Sequence, residues 1–300
     1  MPDFWAHIIA GEEVKNRLKE DFIQELINNN YQLFNFACQG ADPFFYYKFW
    51  PWQHNKIGWQ LAEDIHQLAG QKLFAALLTA YKKADIVGAH KLDSSQSKKL
   101  IYLLGFIVHY TIDRECHPYI LANGGQGKQH KLIESMLDVY LMKEYWQQQA
   151  AELNPLPYYK LTGKDQQAAI YFYKIIIADA LVKFSDQSRL EKLLAASYLA
   201  LKKYHKFFTT TSTAQIYLLK TFNYMLPLNL AQYNYQLAEK QQQSLWSDSQ
   251  FAELNQLYKN AILKAVHLVN VTLVYLQGSE SLSNLLRQYG KQNFLGQFVE

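Results

Sequence analysis

The segment GFIVHYTIDRECHPYI, residues 105–120, constrains the fold more than any other stretch of the chain. Its apolar residues suit a helix packed inside a protein, yet His109, Asp113 and His117 recur in it at four-residue steps. Each such step advances about 40° beyond a full turn, so on a helix the three side chains project from one face. Ionisable groups on a buried face are costly unless something pairs or coordinates them. The segment therefore calls for a bundle in which other polar side chains meet this face. Asp113 sits about one turn from each histidine, where a carboxylate can bridge two metal ions and each imidazole can go to a different one. Pro118 biases His117 away from helical geometry, so the helix is expected to end there. Gly105, one turn before His109, leaves room for another helix or a ligand.

Helical periodicity dominates the rest of the chain. Residues 58–84 place Leu61, Ile65, Leu68, Leu73, Leu77 and Leu78 near i, i+3, i+4 spacing, and 93–113 opens with capping residues before a long apolar run. Further helical patterns cover roughly 13–29, 129–149, 165–185, 188–208, 212–226 and 251–277. No stretch alternates with period two between hairpin turns, so the expected class is all-α, a multi-helix bundle. Two segments interrupt it. Residues 38–56 read as an aromatic loop punctuated by Gly40, Pro43 and Pro51. Residues 152–165, with Pro155, Pro157 and Gly163, are the best boundary candidate, dividing a region 1–150 from additional helices 151–300 on the same core. The EKQQQS run near 239 reads as a polar connector.

Seven of the nine histidines lie at or before His130, which puts any imidazole site in the first half. His130 and Glu134 again stand at i, i+4, a nitrogen–oxygen pair that borderline metals favour. The NGGQGK loop before them can fold one helix back on the other. Further candidates are His7 among apolar residues, Asp42 at a turn, His54 in the aromatic loop and His66 on the next helix. His90 reads as solvated in a polar turn, and His267 as a satisfied member of a core helix. A lone helical histidine is ordinarily a surface or hydrogen-bonded residue. The succession of paired donors favours metal instead.

Composition excludes several classes. A hydrophobic share of 49% with 19% charged residues is that of a globular chain. A net charge of +4 is too mild to argue for a nucleic-acid or membrane partner. Cys38 and Cys116 are compatible with one bridge or with a reduced interior, and do not make a disulfide framework. No uninterrupted apolar run reaches about 18 residues, and the start does not look like a secretory signal, so the expected compartment is the cytoplasm.

The order His7, Asp42, His66 or His54, His109-x3-Asp113-x3-His117, His130-x3-Glu134 resembles the zinc-dependent phospholipase C family, over roughly residues 1–140. GADPFFYY and LLGFIVHYTIDRECHPYI are similar to forms seen in its bacterial members. The resemblance implies an all-α fold with two or three Zn2+ ions, or other divalent ions, in a cleft. His109, Asp113, Asp42 and His66 would hold one ion, with His54 the alternative to His66. His117, His130 and Glu134 would hold a second, and His7 with the bridging Asp113 a third. The family's third ion also uses a free N-terminal amine, here that of Pro2 if Met1 is removed. Asp42 would be the general base of a phosphodiester hydrolysis.

A lipid or small-molecule phosphodiester is the expected substrate, with peripheral membrane contact. Phe45, Tyr46 and Trp50 are the candidate substrate-binding residues. The aromatic loop that carries them could meet a lipid interface, stack bases, or simply close the core over the metals. A single-strand nuclease-like activity is the alternative, nucleic acid being the less favoured partner. So is a non-catalytic helical metal protein.

Overall fold

The bundle is organised around one helix that contains the segment discussed above. In the computed structural model, which describes residues 3–50, 53–84, 92–125, 129–179, 187–209, 212, 217, 221 and 233–299, this helix runs Ser94–Ala122 and is buried along most of its length. Asp93 caps it, accepting from the Ser95 and Gln96 amides at 2.7 and 2.8 Å, while the Gln96 side chain accepts from the Asp93 amide. That reciprocal arrangement is a capping box, formed by the capping residues with which the helix was expected to open.

In chain order the helices are α1 (Phe4–Arg17), α2 (Asp21–Asn29), α3 (Tyr31–Ala37), α4 (Ile57–His66), α5 (Gly70–Lys83) and α6 (Ser94–Ala122). There follow α7 (His130–Leu141), α8 (Gly163–Asp179), α9 (Gln187–Phe208), α10 (Tyr235–Leu245), α11 (Asp248–Leu276) and α12 (Leu282–Tyr289). Among the described residues the only bridge-like pairing is Gln292 with Phe298, so the class is all-α. Helices α1, α3, α8 and α11 all pack on α6. One apolar cluster extends from Phe4 to Phe294, with Trp5, Tyr102, Tyr110, Tyr258 and Phe74 among its fully buried members. No helix of the described residues is long and apolar enough to cross a membrane. Cys38 and Cys116 are buried and free.

Several expectations are corrected. Helix α6 does not stop at His117 but passes through Pro118 to Ala122. Proline lacks the amide that would bond the Arg114 carbonyl. That carbonyl faces Gly296, where a side chain would stand 2.8 Å from the oxygen, so packing against the C-terminal segment carries the helix across the proline. The pattern at 13–29 is two helices, and the first begins at Phe4. Its start is capped from afar: Asp138 accepts from the Trp5 and Ala6 amides, both at 2.8 Å. The pattern at 58–84 also splits, because the Gly70 amide leaves the helix to donate to the Gln292 carbonyl at 2.9 Å. The run near 239 is not a connector but part of α10; Glu, Lys and Gln are good helix formers, and Tyr235 and Ala238 anchor it. His267 is exposed on α11 rather than set in the core, and pairs with Gln288 at 2.6 Å. His90 and most of 212–226 lie outside the described residues.

Gly105 makes room for a helix. A side chain there would come within 2.7 Å of the Phe34 carbonyl and 2.6 Å of the Ala37 Cβ, which is how closely α3 approaches α6. That contact brings the end of α3, and the turn leading to Asp42, over the His109–Asp113 face.

Candidate metal centre

Three elements converge on the buried face of α6. Helix α1 brings His7, the turn Asp42–Tyr46 brings Asp42, α4 ends on His66, and α6 supplies His109 and Asp113. The His66 Nε2 lies 3.3 Å from Asp42 Oδ1 and 3.6 Å from Asp113 Oδ2. His109 Nε2 lies 3.4 Å from the same Asp113 oxygen and 3.4 Å from His66 Nε2. The other Asp113 oxygen faces His7 Nε2 at 3.4 Å. Gly40 allows the approach of the turn: it has φ +50°, and a Cβ on it would stand 1.9 Å from His109 Cδ2.

These separations suit a cation. A tetrahedral ion with bonds of about 2.0–2.2 Å holds its ligand atoms about 3.3–3.6 Å apart. The satisfaction of the atoms argues the same way. Both Asp113 oxygens, Asp42 Oδ1, both His7 nitrogens and His117 Nε2 are buried with no hydrogen-bond partner among the described residues. A fully buried carboxylate without a donor is costly, and a divalent ion is the partner that this set of neutral nitrogens and anionic oxygens fits.

A second group forms where α7 returns past the end of α6. His117, His130 and Glu134 bring one donor atom each within 4.8 Å of one another. The His117 and His130 rings are nearly parallel, with centroids 5.5 Å apart. His130 Nε2 and Glu134 Oε1 are 2.7 Å apart, closer than two ligands of one tetrahedral ion, so seating an ion would spread this pair.

Backbone carbonyls set the imidazoles. His66 Nδ1 meets the Ala62 carbonyl at 2.6 Å, His130 Nδ1 the Gly125 carbonyl at 2.6 Å, and His117 Nδ1 the Phe294 carbonyl at 3.0 Å. A carbonyl only accepts, so each Nδ1 carries a proton, and Nε2 is the nitrogen left to face an ion. This outer hydrogen bond is the arrangement metal-ligating histidines use.

The electrostatics follow from burial and from the two carboxylates. Burial lowers His109 and His130 to about 4, and His117 well below its ordinary value. Burial works against the His66 charge too, but the neighbouring Asp113 and Asp42 carboxylates outweigh it and raise this imidazole to about 9, so an ion bound here would have to displace the Nε2 proton. Asp113 is held well below the usual carboxylate range; burial opposes this, and the His109, His66 and His7 rings prevail.

The eight residues of the resemblance thus lie in two neighbouring groups, and His66 rather than His54 stands beside Asp42. His54 is exposed and belongs to neither group. Phe45 stacks on His66 at 5.6 Å. Tyr46 packs on Tyr204 at 4.7 Å and Trp50 on Phe207 at 5.6 Å. Pro2 lies outside the described residues. Sequence reasoning missed Asp138 and the carbonyls of Ala62, Gly125 and Phe294. Asp138, four residues after Glu134 in an apolar run, was a visible anomaly; the carbonyls leave no mark in the sequence.

Compared with known proteins, neither a curated protein nor a solved structure matches the chain. Residues 6–184 match the family described as zinc dependent phospholipase C, and that stretch includes all eight clustered side chains. The match spans more than half of the 300 residues, and the chain belongs to the zinc dependent phospholipase C family.

Proposed function

We propose that this chain is a zinc-dependent phosphodiester hydrolase that cleaves a phospholipid on the glycerol side of its phosphate. Asp42, His66, His109 and the Asp113 Oδ2 would hold one ion, and His117, His130 and Glu134 a second. His7 and the Asp113 Oδ1 would contribute to a third. Zinc, when bound, supplies Lewis acidity that makes hydroxide available near neutral pH and offsets charge on a phosphoryl group. The chain's own groups do the rest. Asp42 is the least buried of the carboxylates at the first group, with 16% of its side chain exposed, and would take the proton of the attacking water. Asp113 keeps His7, His66 and His109 in register and excludes water from their faces. The Phe45 ring beside His66 would flank the substrate phosphate on the apolar side.

The observation that carries this reading is the set of separations between 3.4 and 3.6 Å around Asp113 oxygens that have no donor. Its test is elemental analysis of the purified chain together with turnover of phosphatidylcholine vesicles, single-stranded DNA and bis-p-nitrophenyl phosphate. Zinc at two or more ions per chain, with diacylglycerol released and loss of both in Asp113→Asn, is expected. Cleavage of DNA in preference to lipid would transfer the assignment to a nuclease. Bound metal with no turnover of any of the three would leave a structural metal protein.

A further inference from the structure

The matched region ends at residue 184, yet the metal face is closed by a segment more than a hundred residues later. After α12 the chain turns back, and Gln292–Gln297 enter the space between α4, α5 and α6. The Phe294 side chain is fully buried. Its ring lies 4.8 Å from the His66 ring and 5.7 Å from the His109 ring, against the first group of donors. Its amide donates to the His66 carbonyl at 3.2 Å. Its carbonyl accepts from His117 Nδ1 at 3.0 Å, in the second group. One residue therefore meets both groups: its ring faces the His66 and His109 imidazoles, its amide holds the His66 backbone, and its carbonyl takes the His117 Nδ1 proton.

The turn that presents Phe294 is itself pinned on every side. The Asn293 side-chain oxygen accepts from the Leu295 and Gln297 amides, both at 3.0 Å, and its amide group donates to Gln67 Oε1 at 3.1 Å. The Asn293 amide donates to the Gln297 carbonyl at 2.9 Å. The Gln292 carbonyl accepts from the Tyr110 hydroxyl at 2.8 Å as well as from the Gly70 amide. Gly296 lies on Pro118, one residue past His117, with no room for a side chain.

From this geometry we infer that the Gln292–Gln297 turn is a positioning element of the metal centre, with Phe294 fixing the tautomer of His117 and the ring planes of His66 and His109. The inference rests on the proposed metal ligation. Without the Phe294 carbonyl, His117 has no acceptor for its Nδ1 proton, and both tautomers become available. Only one of them offers Nε2 to the ion shared with His130 and Glu134. Outer hydrogen bonds of this kind are worth about 10–100-fold in metal affinity.

The test is a titration of the metal-free full chain with cobalt(II), read by its visible absorption, alongside circular dichroism. The variants are Phe294→Ala, Phe294→Leu and Asn293→Ala. Asn293→Ala loosens the turn while keeping the ring, and serves if Phe294→Ala does not fold. Phe294→Ala and Asn293→Ala should keep parental helicity, bind cobalt about tenfold or more weakly, and show an altered absorption band. Phe294→Leu, which refills the space and keeps the turn, should recover most of the affinity. Parental affinity and band shape in folded Phe294→Ala and Asn293→Ala would overturn the positioning role and leave the ligand assignment standing. If the parent chain itself takes up no cobalt, the ligand assignment fails and the positioning role fails with it.

Discussion

Asp113 carries more of the site than any other residue. Its carboxylate is fully buried, faces three imidazoles, and has no backbone or hydroxyl donor. Asp113→Asn keeps the shape but removes the charge that the first and third ions would share. We expect its zinc content, measured by mass spectrometry after dialysis, to fall by at least one ion per chain, with affinity down at least about tenfold. His205 gives the pH test, because it lies away from the proposed ligands and its change is set by burial. Its Nδ1 pairs with the Tyr159 hydroxyl at 2.7 Å, and burial lowers the imidazole to about 3. Its value in the unfolded chain is about 6.5. Between those limits the unfolded state takes a proton that the native state refuses, so stability falls as pH drops through that window. His205→Phe removes this loss. On going from about pH 7 to about pH 4.5 its unfolding free energy should gain about 2 kcal/mol relative to the parent. A constant difference across that range would show that His205 is not held neutral.

At the scale of elements, what the sequence disclosed was whatever a single helix decides. His109, Asp113 and His117 share a face because α6 is helical, and His130 with Glu134 follows the same rule on α7. The choice between His54 and His66 was not local: it depends on how α4 lies against α6, which aromatic packing around Phe45 and Phe294 determines. The stop expected at Pro118 failed because a distant segment covers the carbonyl that proline leaves unpaired. Helix α1 was read only from residue 13 because its cap is Asp138, far along the chain. That cap is a testable link between fold and site, since α1 carries His7. Asp138 accepts two amides and the Tyr235 hydroxyl at 2.9 Å. Asp138→Ala would orphan all three donors and should lower stability by about 1–3 kcal/mol in denaturant melts. A loss under about 0.5 kcal/mol would show that α1 is held by apolar packing alone.

For the whole molecule, a short run of aromatic rings leads from the site to the surface. Phe45 stacks on His66, and Trp59, 43% exposed on α4, lies edge-on to Phe45 at 6.2 Å. Tryptophan at such a place suits a lipid–water boundary. Trp59→Ala should therefore cut turnover of vesicle phosphatidylcholine several-fold while leaving a soluble short-chain analogue nearly untouched; equal losses on both would place Trp59 in the fold rather than at an interface. The distance between the parts of the centre has a kinetic corollary. Its side chains come from residue 7 to residue 134, and the turn behind them holds residue 294. No single hairpin of helices holds the full set, so helices can form long before the donors meet, and remote pairings of this sort close slowly. On refolding in the presence of a divalent ion, capture of that ion should lag the recovery of helix, and its arrival would mark the moment when the two ends of the chain have found each other.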